Sequence, residues 1–312
     1  MTTTEPIRIS NSEIQTFKDC RRRWWLTYYR RMKPKVQNFT GALALGSRIH
    51  EALDRHYSTG QDLLEAHSDL VKEDLKKLND DYRDTSSMEA EAELGHIMLE
   101  GYLEWVEQEG IDAELEMIST EEILERPMMD GKVILQGKID MRVRRKIDGA
   151  RMIRDFKTVG GSFADFGSMA HMNEQVKTYM LLDEAQGSED GTRTDGAIFT
   201  MLRKVKRGAY AKPPFYDQIE VRHNRFTLRA FLEQLEGTLG DMLNVRGALD
   251  EGGSHYANAY PTPTKDCKWK CQFFAICPLF DDGSAAEAAL SDSFVSSDPY
   301  GYYGIKEKKG SE

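Results

Sequence analysis

The segment GKIDMRVRRKIDGARMIRDFKT, which begins at Gly137, constrains the fold more than any other part of the sequence. From Val133 to Val143 apolar residues alternate with polar ones, which is the two-residue period of a half-buried strand. Asp148 and Gly149 then give a strong signal for a two-residue hairpin loop, after which ARMIRDFKT resumes the strand pattern. The sequence therefore predicts an antiparallel β-hairpin.

This loop length sets the pairing of the two strands. It places Asp140 opposite Lys157 and Arg142 opposite Asp155. Because side chains alternate along a strand, all four emerge on one face, with directly opposed β-carbons roughly 5 Å apart. Two interpretations are open at this point. Adjacent carboxylates suggest a divalent cation such as Mg2+ or Mn2+ held by oxygen ligands, whereas cross-strand ion pairs are common on surface hairpins.

Composition limits the class of protein. The 312 residues include 40% hydrophobic and 30% charged positions, which suits one large or two modest globular domains. No apolar run has the length of a membrane span, and the N-terminal residues lack a secretory signal. We therefore expect a soluble, cytoplasmic protein without a membrane partner.

The charge distribution is uneven. The net charge of -10 argues against nonspecific binding to nucleic acid. Basic residues nevertheless form four runs, RRR at 21–23, RRMKPK at 30–35, RVRRK at 142–146 and RKVKR at 203–207. Such runs either contact phosphates or form solvated faces, and the nearby Trp24 and Tyr28 either stack on a single strand or belong to the core.

The order of predicted elements indicates the fold class. Helical periodicity is found in SNSEIQTFKDCRRRWWLTYY, in residues 41–57 and 61–108, in NEQVKTYMLLDEAQ and in RFTLRAFLEQLEGTLGDMLNVRGAL. Strands are predicted near residue 114, in the hairpin, in AIFTMLRK and in FYDQIEV. This order favours an α/β fold with a mixed central sheet flanked by helices. Residues 281–312, rich in Gly, Ser and Asp, are predicted to form a flexible tail.

Several motifs, in this order along the chain, resemble the RecB-like branch of the PD-(D/E)xK nuclease superfamily. GSRIHEALD resembles the helical histidine motif of that branch and implies that His50 is a metal ligand. GKIDMRV resembles its Gly-x-x-Asp strand and implies a role for Asp140. IRDFKT resembles its Asp-x-Lys-Thr motif, which implies catalytic roles for Asp155 and Lys157. The implied fold is a restriction-endonuclease-like core.

EQVKTYMLL resembles the Gln-x-x-x-Tyr helix of the same branch and implies that Gln175 and Tyr179 bind DNA. These two residues are four apart, so they share one face of a helix. The resemblance further implies that Mg2+ or Mn2+ is held with the help of the Phe156 backbone carbonyl. The implied reaction is hydrolysis of a DNA phosphodiester that leaves 5′-phosphate and 3′-hydroxyl ends.

The four cysteines form the last motif. Cys20 stands near the N-terminus, and CKWKCQFFAICP supplies Cys267, Cys271 and Cys277. In an intracellular protein this grouping favours metal ligands over disulfides. The arrangement resembles the [4Fe-4S] clasp of CRISPR-associated RecB-like exonucleases and AddB-type nuclease domains. Three residues separate the first clustered pair, where the family usually has two, and structural Zn2+ is the alternative.

The resemblance implies a domain organisation and a function. Residues 1–280 would form the nuclease domain, with an N-terminal helical arm at 1–40, a helical insertion at 58–112, a catalytic core at 113–230 and the cysteine cluster at 264–280. The implied activity is an exonuclease acting on single-stranded DNA or DNA ends in recombination, repair, or phage or CRISPR DNA processing. A helicase or a recombination or CRISPR protein is the expected partner. The alternative is a non-catalytic DNA-binding or scaffolding protein with a structural metal centre.

Overall fold

The computed structural model describes residues 5–81, 83–186, 193–208 and 210–303. The chain divides into two compact units. The first, called here the sheet unit, comprises Asn38–Glu125 and Gly137–Arg229. The second, called the cysteine unit, comprises Met1–Gln37, Arg126–Gln136 and Ala230–Glu312. In the described ranges no helix has both the length and the apolar character needed to cross a membrane.

Groups of strands and groups of helices follow one another along the described chain. The strands are β1 (Ile7–Ser10), β2 (Met32–Pro34), β3 (Leu115–Met128), β4 (Val133–Arg145), β5 (Arg151–Val159), β6 (Thr194–Arg203), β7 (Tyr216–Arg222) and β8 (Phe294–Ser296). The helices are α1 (Asn11–Asp19), α2 (Arg21–Trp24), α3 (Ala42–Thr59), α4 (Leu63–Asp80), α5 (Ser86–Glu109), α6 (Phe163–Ala170), α7 (Glu174–Gln186), α8 (Arg225–Asp250), α9 (His255–Asn258), α10 (Cys267–Lys270) and α11 (Ala286–Ser293).

The sheet unit is built on a mixed sheet. β4 pairs antiparallel with β5, β5 runs parallel to β6, and β6 pairs antiparallel with β7, while β3 also pairs with β4. Residues 151–156 of β5 are all buried, as expected for a central strand covered on both faces. α3, α4 and α5 pack together, and α7 packs against β5 and β6. The predicted fold class, a mixed sheet flanked by helices, is confirmed.

The core of the sheet unit forms between helices and the β4–β5 hairpin. Leu45, Ile49 and Leu53, spaced three to four apart on α3, are buried against the hairpin. The apolar residues of this core are contributed by α3, α4, α5 and four strands, and include Ala52, Leu63, Ala66, Met98, Leu99, Tyr102, Met141, Val143, Met152, Phe156, Ile198 and Leu202. The core therefore fixes α3 against the two strands that carry the predicted site.

The pairing within the hairpin differs from the predicted one. Arg142 lies opposite Ile153, whereas the sequence predicts Asp155 at that position. The loop occupies residues 146–149, because the Gly149 N–H donates to the Arg145 carbonyl at 2.8 Å, with Gly149 at φ 71. This loop is two residues longer than the predicted one, and it shifts the pairing by two positions. A shift of two preserves the face from which each side chain emerges.

The cysteine unit contains more short elements than the sequence predicts. The single helix expected from residue 10 ends at Cys20, where an extended φ of -163° interrupts it, and α2 and a π-helical turn at Trp25–Tyr29 follow. β1 runs parallel to the first four residues of β4, and β2 pairs antiparallel with β8. The region predicted as an N-terminal helical arm therefore contains two short strands as well.

The predicted flexible tail also differs from the structure over residues 281–303. α11 and β8 form there, and β8 is paired with β2. Leu290 and Phe294 are four residues apart and buried at 1% and 6% exposure, so this segment has an apolar face of its own. Low aliphatic content concealed that face in the sequence. Residues 304–312, the rest of the predicted tail, lie outside the described residues.

Two helical glycines lead to opposite predictions for substitution by alanine. A Cβ on Gly95 of α5 would stand 2.4 Å from Nε2 of the buried His67 imidazole, a histidine whose pKa burial lowers to about 4. Gly95→Ala should therefore destabilise the protein by about 1–3 kcal/mol through overpacking. A Cβ on Gly237 of α8 meets nothing within 4 Å, so Gly237→Ala should stabilise it by up to about 1 kcal/mol. Urea denaturation measures both, and equal stabilisation by the two substitutions would contradict this packing.

Candidate active site

Two carboxylates meet where β4 lies beside β5. Asp140 of β4 accepts a hydrogen bond from the Phe156 N–H at 3.1 Å through Oδ2. The same oxygen lies 3.4 Å from Nδ1 of His50, which α3 supplies. Asp155 of β5 is buried, with 2% of its side chain exposed. The structure thus brings together the four residues that the sequence assigns to a metal, from one helix and two strands.

The surroundings drive the two carboxyl pKa values apart. Burial raises the pKa of Asp155, and the charge of Asp140 adds to that rise, so the attraction of Lys157 is outweighed and the pKa is raised. Burial also raises the pKa of Asp140, but the hydrogen bond and charge of His50, the charge of Lys157 and the Phe156 N–H together hold it below its ordinary value. Such a pair is stabilised by any additional cation placed between the carboxylates.

Lys157 is held as a cation at the centre of the site. Its Nζ lies 2.7 Å from Asp155 Oδ2 and donates a hydrogen bond to Gln175 Oε1 at 3.0 Å. Burial lowers the pKa of Lys157, but Asp155 and Asp140 outweigh that effect and raise it. Lys157 is therefore protonated at neutral pH, and it presents positive charge rather than a basic amine.

Gln175 and Tyr179 continue this contact chain along α7. Gln175 Nε2 donates to the Tyr179 hydroxyl at 2.8 Å, so the amide bridges the lysine and the phenol. Tyr179 is 7% exposed, and its ring lies against Gly137 of β4, where a Cβ would be 3.0 Å from the tyrosine ring and 2.7 Å from Leu182. Glycine at 137 permits α7 to approach the sheet closely. The structure places the two predicted DNA-binding residues in a chain of hydrogen bonds that starts at Lys157.

A small cavity beside His50 brings in acidic residues without a sequence motif. Its lining includes His50, Asp140, Asp54 of α3 and Glu121 of β3. Glu121 has a left-handed φ of 50 and forms an ion pair with Lys138. A non-glycine residue in this region of φ is uncommon and often marks a functional site. The sequence of β3 did not single out this residue, because the strand contains three other glutamates.

A buried arginine supports the catalytic strand from its other face. Arg154, which directly precedes Asp155, has 1% of its side chain exposed. Its guanidinium donates to Asp112 Oδ1 at 2.7 Å, to the Tyr102 hydroxyl at 2.9 Å and to Thr200 Oγ1 at 3.1 Å. The sequence gives no signal for this role, because Arg154 is one of four charged residues between positions 151 and 157.

Tyr57 of α3 completes this arginine network. Its hydroxyl lies 2.6 Å from that of Tyr102 and donates to Asp112 Oδ2 at 2.8 Å. Its ring stacks on Phe156, with ring centroids 5.8 Å apart. The network therefore joins α3, which carries His50, to the strand that carries the catalytic motif.

The cysteine unit brings the cysteines together in the fold. Cys20, Cys267 and Cys271 line one cavity of about 270 Å³, and Cys277 is close enough for its pKa to respond to two of them. The Thr262 N–H donates to Cys20 Sγ at 3.4 Å, and the Thr264 N–H donates to Cys267 Sγ at 3.3 Å.

These thiols differ in acidity. The Thr264 hydrogen bonds lower the pKa of Cys267, whereas burial raises that of Cys271 and raises that of Cys277 to about 11. Burial disfavours the thiolate form, which is the form that binds metals, and at Cys277 it outweighs the positive charge of Arg22. All four thiols are free of disulfides.

The two tryptophans next to the first basic runs belong to the core of the cysteine unit, whereas Tyr28 and Tyr29 are partly buried. Trp24 and Trp25 are 0% and 7% exposed. Trp24 Nε1 donates to the buried Glu13 at 2.8 Å, and Trp25 stacks on His255 with centroids 5.2 Å apart. The suggestion that Trp24 stacks on a single strand is therefore wrong, because its ring is enclosed by protein.

The donors of the hairpin site fit a divalent cation in kind. Carboxylate oxygens, a peptide carbonyl and an imidazole are ligands that Mg2+ and Mn2+ accept. Asp155 Oδ2 is buried and accepts no well-aligned hydrogen bond, although Lys157 Nζ is close, so it retains lone-pair capacity. Among the described residues, no three His, Cys, Asp or Glu side chains are arranged as a finished binding group for one metal ion. His50 and Lys157 instead contact the carboxylates.

The similarity of the chain to known proteins bears on its family. No curated protein sequence matches the chain. Among solved structures it is similar to a "Putative exonuclease" from Eubacterium rectale, with a TM-score of 0.49 and 10% identity over 85% of this chain and 93% of that one. It is also similar to SSO0001, with a TM-score of 0.32 and 16% identity over 78% of this chain and 87% of that one. At these TM-scores neither similarity carries weight. The sequence profile of the PD-(D/E)XK nuclease superfamily matches residues 8–278, and the chain belongs to that superfamily.

Proposed function

We propose that the protein is a metal-dependent deoxyribonuclease that removes nucleotides from single-stranded DNA or from DNA ends. The observation that carries this proposal is the convergence of Asp140, Asp155, His50 and the protonated Lys157 at one place in the sheet unit. Structural ion pairs of a surface hairpin would lie in solvent, whereas the Asp155 side chain is 2% exposed and those of Asp140, Lys157 and His50 are 20–32% exposed.

Four residues of the chain would hold the catalytic cation. They are His50, Asp140, Asp155 and, through its backbone carbonyl, Phe156. A bound Mg2+ or Mn2+ polarises a phosphate and lowers the pKa of a coordinated water. Asp140, which is kept ionised by its neighbours, provides a permanent anionic ligand. Asp155, whose pKa is raised, ionises more readily when positive charge is placed beside it.

Lys157 supplies the fixed positive charge of the chain itself. Asp155 and Asp140 raise its pKa, and its positive charge would stabilise the negative charge that gathers on a phosphate during hydrolysis or would orient the attacking water. Gln175 holds the ammonium at 3.0 Å, and Tyr179 orients the Gln175 amide. These two residues therefore position Lys157, in addition to the DNA contact that the family resemblance implies.

The test uses the full-length chain with end-labelled oligonucleotides in linear and circular single-stranded form and in linear duplex form. Cleavage should require added Mg2+ or Mn2+ and should stop with EDTA. Degradation of linear but not circular single strands would establish an exonuclease, whereas cleavage of circles would show an endonuclease. Absence of cleavage under all of these conditions would refute the proposal and favour a non-catalytic DNA-binding role.

The motif resemblance also supports a biological setting. Related domains act in recombination, repair, and phage or CRISPR DNA processing, and a helicase partner would supply any unwinding. The chain itself shows no sequence motif for nucleotide hydrolysis, because GALALGSR at 41–48 lacks the lysine and hydroxyl residues of a P-loop.

We further propose that the four cysteines bind a [4Fe-4S] cluster. The cavity of about 270 Å³ is larger than a single Zn2+ with bonds of about 2.3 Å to sulfur requires. Backbone N–H donors at Cys20 and Cys267 suit thiolates that carry negative charge, as cluster ligands do. Both observations also suit zinc thiolates, and the choice of a cluster rests on the resemblance of the one-plus-three cysteine arrangement.

Metal analysis after anaerobic purification tests this assignment. Wild-type protein should contain iron and acid-labile sulfide, and Cys271→Ala should lose both. Thr262→Ala is the matched control, since its backbone N–H still donates to Cys20, and it should retain iron. Stoichiometric zinc without sulfide in the wild type would overturn the cluster in favour of zinc.

A further inference from the structure

The loop between β6 and β7 is the most strongly basic connection in the sheet unit. Residues 204–215, called here the basic loop, have the sequence KVKRGAYAKPPF and contain four cationic and no acidic residues. The structure describes residues 204–208 and 210–215 of it. Tyr210, in the middle of the loop, is 96% exposed. The chain as a whole has a net charge of -10, so the basic loop differs in sign from the rest of the protein.

The basic loop begins beside the end of the catalytic strand. The Lys204 N–H donates to the carbonyl of Val159 at 2.8 Å, two residues beyond Lys157. The Lys204 side chain also lies beside the residue that follows β5, because a Cβ placed on Gly160 would be 3.7 Å from its Cε. A strand of DNA whose phosphate reaches Lys157 therefore has the basic loop next to it.

Two of the loop cations fasten it to the sheet unit. Arg207 packs its guanidinium on the Phe215 ring, 3.7 Å from the centroid, and donates to the Tyr216 hydroxyl. Lys206 Nζ pairs with Glu93 of α5 at 2.5 Å. These contacts hold the base of the loop in place, so that its outer residues are presented on a fixed support.

The other two cations remain available for a ligand. Within the described part of the chain, the ammonium groups of Lys204 and Lys212 have no carboxylate partner. Lys204, Lys212 and the exposed ring of Tyr210 all belong to the same short loop, which therefore carries two unneutralised cations and one exposed aromatic ring. Proteins bind single-stranded nucleic acid through this combination, because cations contact phosphates and aromatic rings stack on bases of any sequence.

We propose that the basic loop binds the single strand of DNA that continues from the active site, with Tyr210 stacking on a base and Lys204 and Lys212 contacting phosphates. The identity of this strand rests on the proposed nuclease function, but the surface itself does not. An acidic peptide would satisfy the two lysines and would leave the tyrosine without a planar partner. The exposed ring therefore favours a nucleic acid.

Fluorescence anisotropy with a fluorescein-labelled oligothymidine of roughly twenty nucleotides tests the proposal. The measurement is made without divalent cations, so that the protein can bind the oligonucleotide but cannot cleave it. Tyr210→Ala should raise Kd by about tenfold, the loss expected for one stacked base. Lys204→Ala with Lys212→Ala should reduce the slope of log affinity against log salt by about 1.4, at roughly 0.7 for each phosphate contact.

Matched controls lie elsewhere on the chain. Tyr256→Ala removes a tyrosine that is 59% exposed, and Lys72→Ala with Lys76→Ala removes two exposed lysines of α4. These variants should bind as the wild type does. Wild-type Kd and salt slope in the Tyr210 and lysine variants would overturn the loop proposal even if the wild type cleaves DNA. If the wild type never cleaves DNA but the loop variants still bind it more weakly than the wild type does, the loop proposal stands and the nuclease proposal is refuted.

Discussion

Asp155→Asn should reduce DNA cleavage by about a thousandfold or more, a loss typical of removing one charged or polar group that acts on the transition state. The substitution removes a negative charge from the centre of the site while keeping the shape of the side chain. Burial already disfavours the ionised form of Asp155, so the asparagine fits the folded structure. Single-turnover cleavage of end-labelled single strands measures the rate, and circular dichroism with thermal melting checks that the fold persists.

The matched control is Asp165→Asn, which makes the same chemical change at an exposed carboxylate of α6, ten residues away in the sequence. It should cleave at the wild-type rate. If Asp155→Asn also cleaves at that rate, the hairpin carboxylates are structural and the active site lies elsewhere. If both variants lose activity together with their melting transition, the loss of activity is caused by unfolding. The less disruptive Lys157→Gln then tests whether the hairpin residues are needed for cleavage.

Arg154→Met should destabilise the protein by about 3 kcal/mol or more, the usual result of removing one partner from a buried ionic network. Tyr102 is 0% exposed, and the substitution leaves its hydroxyl without the guanidinium donor. It also leaves Asp112 and Thr200 without the cation that joins them. Urea denaturation monitored by tryptophan fluorescence measures the change in free energy of unfolding.

Arg144→Met is the matched control for this prediction. It removes an arginine from the same hairpin, but one with 41% of its side chain exposed and a distant ion pair of 3.8 Å to Glu116. A surface pair of this kind contributes roughly 0–1 kcal/mol. Equal losses in the two variants would show that the arginine network contributes no more than a surface contact.

The sequence predicts the hairpin because it depends on local patterns, whereas the roles of its charged residues are implied only by the family resemblance. Alternation and an Asp-Gly pair are sufficient to predict two strands, and a shift of two residues does not change which side chains share a face. The pairing itself was wrong because the loop type depends on a side-chain contact. Arg145 Nε donates to Asp148 Oδ1 at 2.9 Å, which draws Asp148 into a longer loop.

The supporting residues are harder to predict because their partners are distant in the sequence. Arg154 finds its partners 42, 52 and 46 positions away, at Asp112, Tyr102 and Thr200. Helical spacing shows that Gln175 and Tyr179 share a face, but the direction of that face depends on how α7 packs. The structure directs it to Lys157, and the contact with DNA stays a prediction.

The hydrogen bonds from Lys157 to Gln175 and on to Tyr179 can run in one direction only, because an ammonium group donates and never accepts. The amide must therefore turn its oxygen to the lysine and its nitrogen to the phenol. A glutamate at position 175 has nearly the same shape, but it would lose the donor and add a third carboxylate to the site. Glutamate at this position would therefore leave the hairpin motif intact and still slow any cleavage by this protein, so the hairpin motif alone does not define the site.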